Sequence, residues 1–421
     1  MTDLSTDAAL ASHRWTVSAV AAFLAPAGLP IYIQLPGYAA ELAIRLGTIG
    51  ALLLALRALD FVQDPFLGHL IDRFPAHRAV FAFLAFMGMG AGFASVFGLQ
   101  PGLAGLAAGL VLTFTAYSLG TILFYGQGAE LVGDQGAAKH LQLARRREAG
   151  ALAGVVVAAV APGVLGAWFG LRGGYMVFGF DLALSAVLVW QFSRSFWVGV
   201  TPKVPAPQPF RQVLQPNILL LLTMALMDAL PVAVTSTLFL FFVSDLLRLP
   251  DLAGVFLIVF FVAAGASAPF WSRVATRFGA RRVLMLAMCP AIVAFVGAAT
   301  LGPGAGLAFG AICVMSGAAT GADMVILPAL FSRTVLVQGV PSGIAFGVWS
   351  FAQKISLALA AALVLPVLQA SGCTAGAENT VHALHVLTLS YAVLPCFLKL
   401  LALVLVARPR LDAEPATLPV R

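Results

Sequence analysis

Charged side chains are scarce in this chain of 421 residues: Asp, Glu, Lys and Arg together make up 10% of it, against 61% apolar residues. Soluble domains carry about 25% charged and about 45–50% apolar residues, so there is too little charge here to clothe a water-facing surface. Cysteine is sparse as well. Cys289, Cys313, Cys373 and Cys396 lie mostly inside apolar runs and show no metal-ligand spacing, which leaves no basis for a disulfide framework or a zinc site. No Walker motif, no ordered Ser/His/Asp set and no His/Cys cluster occurs, so neither ATP hydrolysis nor nucleophilic catalysis has residues to perform it, and no cofactor is expected. The GMGAG stretch at 88–92 sits in an apolar run with no strand before it, and reads as close helix packing rather than a phosphate loop.

What the chain has in quantity is hydrophobic length, with a mean hydropathy of +0.99. A bilayer core near 30 Å calls for about 20 apolar residues per helix at 1.5 Å of rise. Read for that length, the sequence predicts an all-α membrane protein of twelve spans, approximately 15–38, 46–71, 78–99, 102–126, 148–169, 174–197, 217–245, 251–273, 282–301, 304–330, 341–368 and 382–407. Residues 1–14 are polar and hold no apolar leader core, so the first span reads as a retained anchor. Of the 24 Lys and Arg residues, eighteen fall on one face of this arrangement, Arg45, Arg172 and Arg248 on the other, and Arg57, Lys354 and Lys399 inside spans. Basic loops stay in the cytoplasm, which places both termini there. The formal charge of +7 then marks topology, not nucleic-acid binding. The expected partners are the lipid of the cell membrane and a small solute, with the protein acting as a monomer. Trp168, Trp190, Trp197 and Trp271, near span ends, read as an interfacial belt.

Residues 198–217, VGVTPKVPAPQPFRQVLQPN, are proline-dense and form an extended spacer. They divide the chain into a six-span bundle at 1–197, a cytoplasmic linker at 198–216, a second six-span bundle at 217–407 and a cytoplasmic tail at 408–421. The halves match at one place. DPFLGHLIDRFPAHR at 64–78 and APFWSRVATRFGARR at 268–282 share Pro, Phe, Arg, Phe and Ala in register, at an offset of 204. Two pseudo-symmetric six-helix halves holding a solute near the bilayer midplane is a common transporter plan. The offset also sets Asp60, Asp64 and Asp72 opposite Ala264, Ala268 and Thr276. The acids belong to the first half alone, so packing does not require them.

Arg57, Asp60 and Asp64 share one helical face. Each intramembrane charge costs about 2.5 kcal/mol or more, and two carboxylates beside one guanidinium leave a net negative charge that suits a monovalent cation or a proton. Oxygen ligands to complete such a site are available in Tyr117, Ser118, Thr121 and Tyr125 of span four, or in carbonyls loosened by Pro65. The competing reading is a static Arg57–Asp60 ion pair that locks the bundle.

RALDFVQDPFLGHLID resembles the second-span signature of the glycoside-pentoside-hexuronide:cation symporters, the melibiose-permease branch of the major facilitator superfamily. The resemblance implies the two-bundle fold of that superfamily and places Asp60 and Asp64 on the family's two cation-binding acids, with Arg57 as the accompanying arginine and Na+ or H+ as the coupling ion. TILFYGQGAELVGD followed by ARRREAGALAG is similar to the family's fourth span, loop and fifth-span start, with Arg147 on a functional arginine position. GVWSFAQKISLALAAAL resembles its eleventh span and puts Lys354 on the family's lysine. The departures are that span one, WTVSAVAAFLAPAGLPIYIQLPGY, has no acid, that Thr121 stands where the melibiose permease has a sugar-binding acid, and that the stretch before span eleven reads LFSRTVLV.

Other polar groups fall inside spans. Lys354 needs a counter-ion, with Asp60, Asp64 and Asp323 as possible partners. Gly68 permits close helix approach, and Asp72 can pair with Arg73, Arg78 or a neighbouring helix end as a latch between conformations. Tyr32, Gln34 and Asp228, the last ahead of Pro231, are candidate cavity residues beside Tyr117, Tyr125 and Asp323. Glu130 and Lys399, near predicted span ends, are expected to snorkel to the interface. The functional expectation is a cation-coupled symporter of a sugar or glycoside. A lysolipid or other amphiphile carrier, a proton-coupled exporter, and a non-transporting sensor or assembly scaffold are the alternatives.

Overall fold

The structure, a computed structural model, describes residues 13–28, 30, 31, 34, 35, 38, 42, 44, 46–99, 102–133, 136–198, 213–373 and 379–407. Tyr32, residues 1–12, most of the 198–216 linker and the 408–421 tail lie outside the described residues.

The helices follow the apolar runs. They are α1 (Arg14–Leu24), α2 (Leu46–Arg73), α3 (Arg78–Phe93) and α4 (Leu103–Val132). The run Ala137–Ser193 breaks at Gly170, whose φ of 73° is open to glycine and strained for other residues, and its two arms are α5 and α6. There follow α7 (Pro216–Phe241), α8 (Ala253–Phe278), α9 (Ala280–Ala298), α10 (Gly306–Val337) and α11 (Ser342–Ala370). The last, α12, joins Val381–Thr388 to Leu394–Val406 through a widened turn at Leu389–Val393. Among the described residues there is no strand. Nine helices among them, with Ala137–Phe196 taken as one, are long and apolar enough to cross a membrane. The chain is an all-α membrane protein.

The polar stretch predicted to link spans four and five is itself helical. α4 runs on to Val132 and α5 starts at Ala137, because QLARRRE lacks apolar length and keeps good helix formers. The duplicated segment is a helix–loop–helix in both places. Pro65 and Pro269 lie inside α2 and α8, and short loops lead into α3 and α9.

Two compact units emerge. One comprises Met1–Val213 with Val335–Phe351, the other Leu214–Thr334 with Ala352–Arg421. In the first, α1 lies along α5, α3 against α4 and α6, and α2 against α4. Small residues let the backbones meet: a methyl at Gly150 or Gly154 would fall on the Ser18 or Ala22 carbonyl of α1. The GMGAG glycines do the same for α3, with Gly88 facing Ala116, Gly90 facing Ala186 and Gly92 facing Thr113. In the second unit α12 packs on α7 and α9, and α8 on α9. Phe242, Phe309 and Tyr391 form its aromatic cluster, with the Phe242 and Tyr391 rings stacked at 3.9 Å. Large apolar side chains such as Val157, Val164 and Trp168 (83% exposed) face outward, as suits a protein whose solvent is lipid. Trp197 differs from the belt expectation: it is 3% exposed, packed on Phe86, Phe124 and Phe196, and its indole N–H donates to Ser193.

Candidate ion-coupling site

The three- and four-residue steps along α2 stack Arg57, Asp60 and Asp64 as anticipated from their spacing. Both carboxyl groups are wholly buried, with no residue surface exposed. Asp60 accepts from Arg57 at 3.5 Å, a loose contact, and from the Gln63 amide at 2.7 Å. Gln63 in turn accepts from Thr115 on α4 at 2.9 Å, so α4 fixes the Asp60 rotamer through an amide relay. Asp64 accepts from the Ser350 hydroxyl at 2.6 Å. A Cβ on Gly347 would come within 2.7 Å of the Asp64 carbonyl oxygen, so the start of α11 lies directly on this turn of α2. The counterparts in the second repeat, Ala264 and Ala268, are buried too. Alanine therefore suffices for packing at the corresponding register positions of the second repeat.

From α4, Tyr117 lies within electrostatic reach of Arg57, Asp60 and Asp64, and beside Thr121. One turn further on, Tyr125 carries the Arg147 guanidinium 3.7 Å above its ring and packs on Phe346. Arg147 also donates to its neighbour Glu148 at 3.0 Å, and both are buried. A buried arginine with a carboxylate and an aromatic face is held in one pose. One of its nitrogens, Nη2, is buried with no hydrogen-bond partner among the described residues. Gln34 takes a different place, donating to the Ala159 carbonyl at 2.8 Å and accepting from Tyr175 at 3.2 Å.

A second polar cluster closes one end of the first unit. Asp72 accepts from the backbone N–H groups of Gly343 (2.9 Å) and Ile344 (2.6 Å), the free donors in the first turn of α11, where the helix dipole favours an anion. Glu130 receives both guanidinium arms of Arg78, one at 2.6 Å, and the Ser342 hydroxyl. Arg78 further donates to Gln127, which donates to the Phe196 carbonyl. Glu130 does not snorkel: it is the acceptor that ties α3 and α4 to the residue that opens α11. Gly68 and Gly343 meet backbone to backbone, and a methyl on either would strike the other's carbonyl. Gly343→Ala is accordingly expected to lower stability by about 1–3 kcal/mol, the cost of overpacking, while Gly163→Ala, which opens onto free space, leaves it unchanged. Thermal unfolding of the two variants checks this.

The second unit contains an ionic centre of its own. Lys399 of α12, 2% exposed, donates to Asp228 of α7 and, at 2.7 Å, to Asp323 of α10. Lys399 therefore does not reach the interface, because two buried carboxylates hold it. Asp323, one of three possible counter-ions for Lys354, is engaged here instead. Lys354 itself is buried.

The model of the MFS/sugar transport protein family, the melibiose-permease-like family, matches residues 15–413. The chain belongs to this family. Solved structures agree on the fold of the major facilitator superfamily. A bacterial homologue of the iron transporter ferroportin, in an outward-facing state, is 18% identical with a TM-score of 0.72 over 95% of this chain and 99% of that one. The E. coli fucose:proton symporter gives 13% identity and a TM-score of 0.64, covering 92% of this chain and 98% of that one. The proton:xylose symporter gives 10% and 0.67, covering 93% and 95%. No curated protein matches the chain.

This member of the superfamily is a transporter and not an enzyme. Around Arg57, Asp60 and Asp64, the structure adds Gln63, Thr115 and Ser350, which sequence reasoning passed over. Amides and hydroxyls are common in any span, and nothing in their spacing singles them out. Glu148, the chain neighbour of Arg147, was passed over, and Lys399 was expected at the interface because its partners lie 76 and 171 residues away in the chain.

Proposed function

We propose that this transporter is a cation-coupled symporter, with Asp60 and Asp64 as the seat of the coupling ion, Na+ or H+. The observation that carries this reading is a pair of fully buried carboxyls one helical turn apart, each steadied by a neutral donor, Gln63 or Ser350. The nearby Arg57 guanidinium makes only a loose contact with Asp60. Neutral donors orient a carboxylate, and buried carboxyls inside a membrane-spanning helix are costly to keep without a function such as receiving a cation or a proton.

A sugar or glycoside is the solute class that the family's description favours. Tyr117 and Thr121 near the acids, and Tyr125 with Arg147 further along α4, supply aromatic faces and donors. The lack of an acid in α1 and the presence of Thr121 favour, as a second reading, an amphiphile such as a lysolipid or aromatic glycoside. Each ligand binds better when the other is present, a reciprocal coupling free energy. Asp72 and Glu130 hold the start of α11 as the latch that closes the cytoplasmic side of the alternating-access cycle. Both termini are cytoplasmic, and the protein acts as a monomer in the cell membrane. The test is uptake of labelled glycosides and lysolipids into proteoliposomes. An inward Na+ or proton gradient is expected to drive accumulation above the external concentration, and collapse of the gradient to abolish it. Purely downhill movement under both gradients would refute the coupling.

A further inference from the structure

The buried centre in the second unit has an unusual charge count. Asp228, Asp323 and Lys399 are 6%, 8% and 2% exposed, and together hold two carboxyls against one ammonium. Lys399 already bridges the carboxyls, donating to both, so the seat that a metal cation would take is filled by Nζ. The charged groups acting on Asp323 are Asp228 and Lys399, and those acting on Lys399 are Asp228 and Asp323. They come from α7, α10 and α12. With both acids ionised, the centre carries one uncompensated negative charge inside a membrane-spanning unit, which is costly.

Two geometric observations bear on how the charge is balanced. The second oxygen of Asp323, Oδ1, is buried with no hydrogen-bond donor among the described residues. Asp228 and Asp323 each give one carboxyl oxygen to the same Lys399 nitrogen, which brings two acceptors close together, an arrangement that is repulsive unless a proton joins them, as in acid dyads whose carboxyls share one proton. We propose that Asp228, Asp323 and Lys399 form a proton-binding site, separate from Asp60 and Asp64, in which one proton is shared by the two carboxyls while Lys399 stays charged. Binding of that proton takes the centre from a net charge of minus one to zero with no other group displaced. The step is addition of one proton to a carboxylate oxygen, with no bond broken.

Infrared spectroscopy of the full-length protein in lipid nanodiscs, titrated across pH in water and in deuterium oxide, reads this site directly. The wild type is expected to show, near neutral pH, the carbonyl band of a protonated carboxyl that shifts on deuteration. Asp323→Asn and Asp228→Asn are each expected to remove it, and Asp323→Glu to move it. The Asp60→Asn/Asp64→Asn double variant is expected to retain it, so that failure of the coupling-ion assignment leaves this band untouched. A wild type with no such band at any pH near neutrality overturns the proposal whether or not the variants fold. A band that survives both single variants overturns it equally.

Discussion

Asp64→Asn is expected to abolish gradient-driven accumulation while leaving solute exchange largely intact. The amide keeps the shape of the carboxyl and still accepts from Ser350, which now donates to the carboxyl at 2.6 Å, so the α2 turn and the neighbouring Gly347 contact persist. What disappears is the charge that attracts the ion. Accumulation is driven by the ion gradient that coupling transmits, so loss of the coupling ion is expected to leave the internal solute no higher than the external concentration. Exchange of external for internal solute needs no net ion movement and reports an intact solute site. Asp60→Asn follows the same pattern with some loss of stability, since Gln63 and Arg57 lose an ionised acceptor. Normal accumulation by Asp64→Asn, measured in proteoliposomes beside its exchange activity, would show that the acid is structural.

Lys399→Met is expected to be the most destabilising single change. It removes the ammonium from between Asp228 and Asp323 and leaves buried acids without a counter-charge. Breaking a buried ion pair by deleting one partner costs about 3–5 kcal/mol, whereas replacing all members by neutral groups of similar volume is often neutral. Combining Lys399→Met with Asp228→Asn and Asp323→Asn is therefore expected to restore most of the stability lost by the single variant. The non-additivity of the set, read from thermal unfolding of purified protein, measures the interaction itself. If Lys399→Met unfolds no earlier than the wild type, the three side chains do not form a coupled centre.

How much of this was legible beforehand depends on the range of each interaction. The apolar helices, the boundary between the spans read at 148–169 and 174–197, and the repeat at 64–78 and 268–282 are local patterns of hydropathy and proline, and they have helical counterparts among the described residues, the boundary falling at Gly170. The face bearing Arg57, Asp60 and Asp64 was legible for the same reason, since helical periodicity alone brings steps of three and four together. Glu130 and Lys399 were misjudged because nearness to a predicted span end says nothing of what lies across the helix interface: Glu130 meets Arg78 and Ser342, and Lys399 meets Asp228 and Asp323. For Asp72 a neighbouring helix end was among the expected partners, and it accepts from the first-turn N–H groups of α11; which helix end it meets was not legible, because any residue carries a backbone N–H. Gln63 and Ser350 are similar, ordinary polar residues whose importance arises from the acids they orient.

The ion requirement itself is tested most directly by the thermal stability of the purified protein at fixed ionic strength, with sodium or lithium titrated against potassium or choline at several pH values. A ligand that binds only the folded state stabilises it by RT ln(1 + [L]/Kd). A coupling site at Asp60 and Asp64 predicts a saturable rise in melting temperature, with sodium or lithium if the ion is a metal and with protons if it is not, that is lost in Asp60→Asn and Asp64→Asn. A melting temperature equally indifferent to metal cations and to protons in the wild type and in both variants would contradict it.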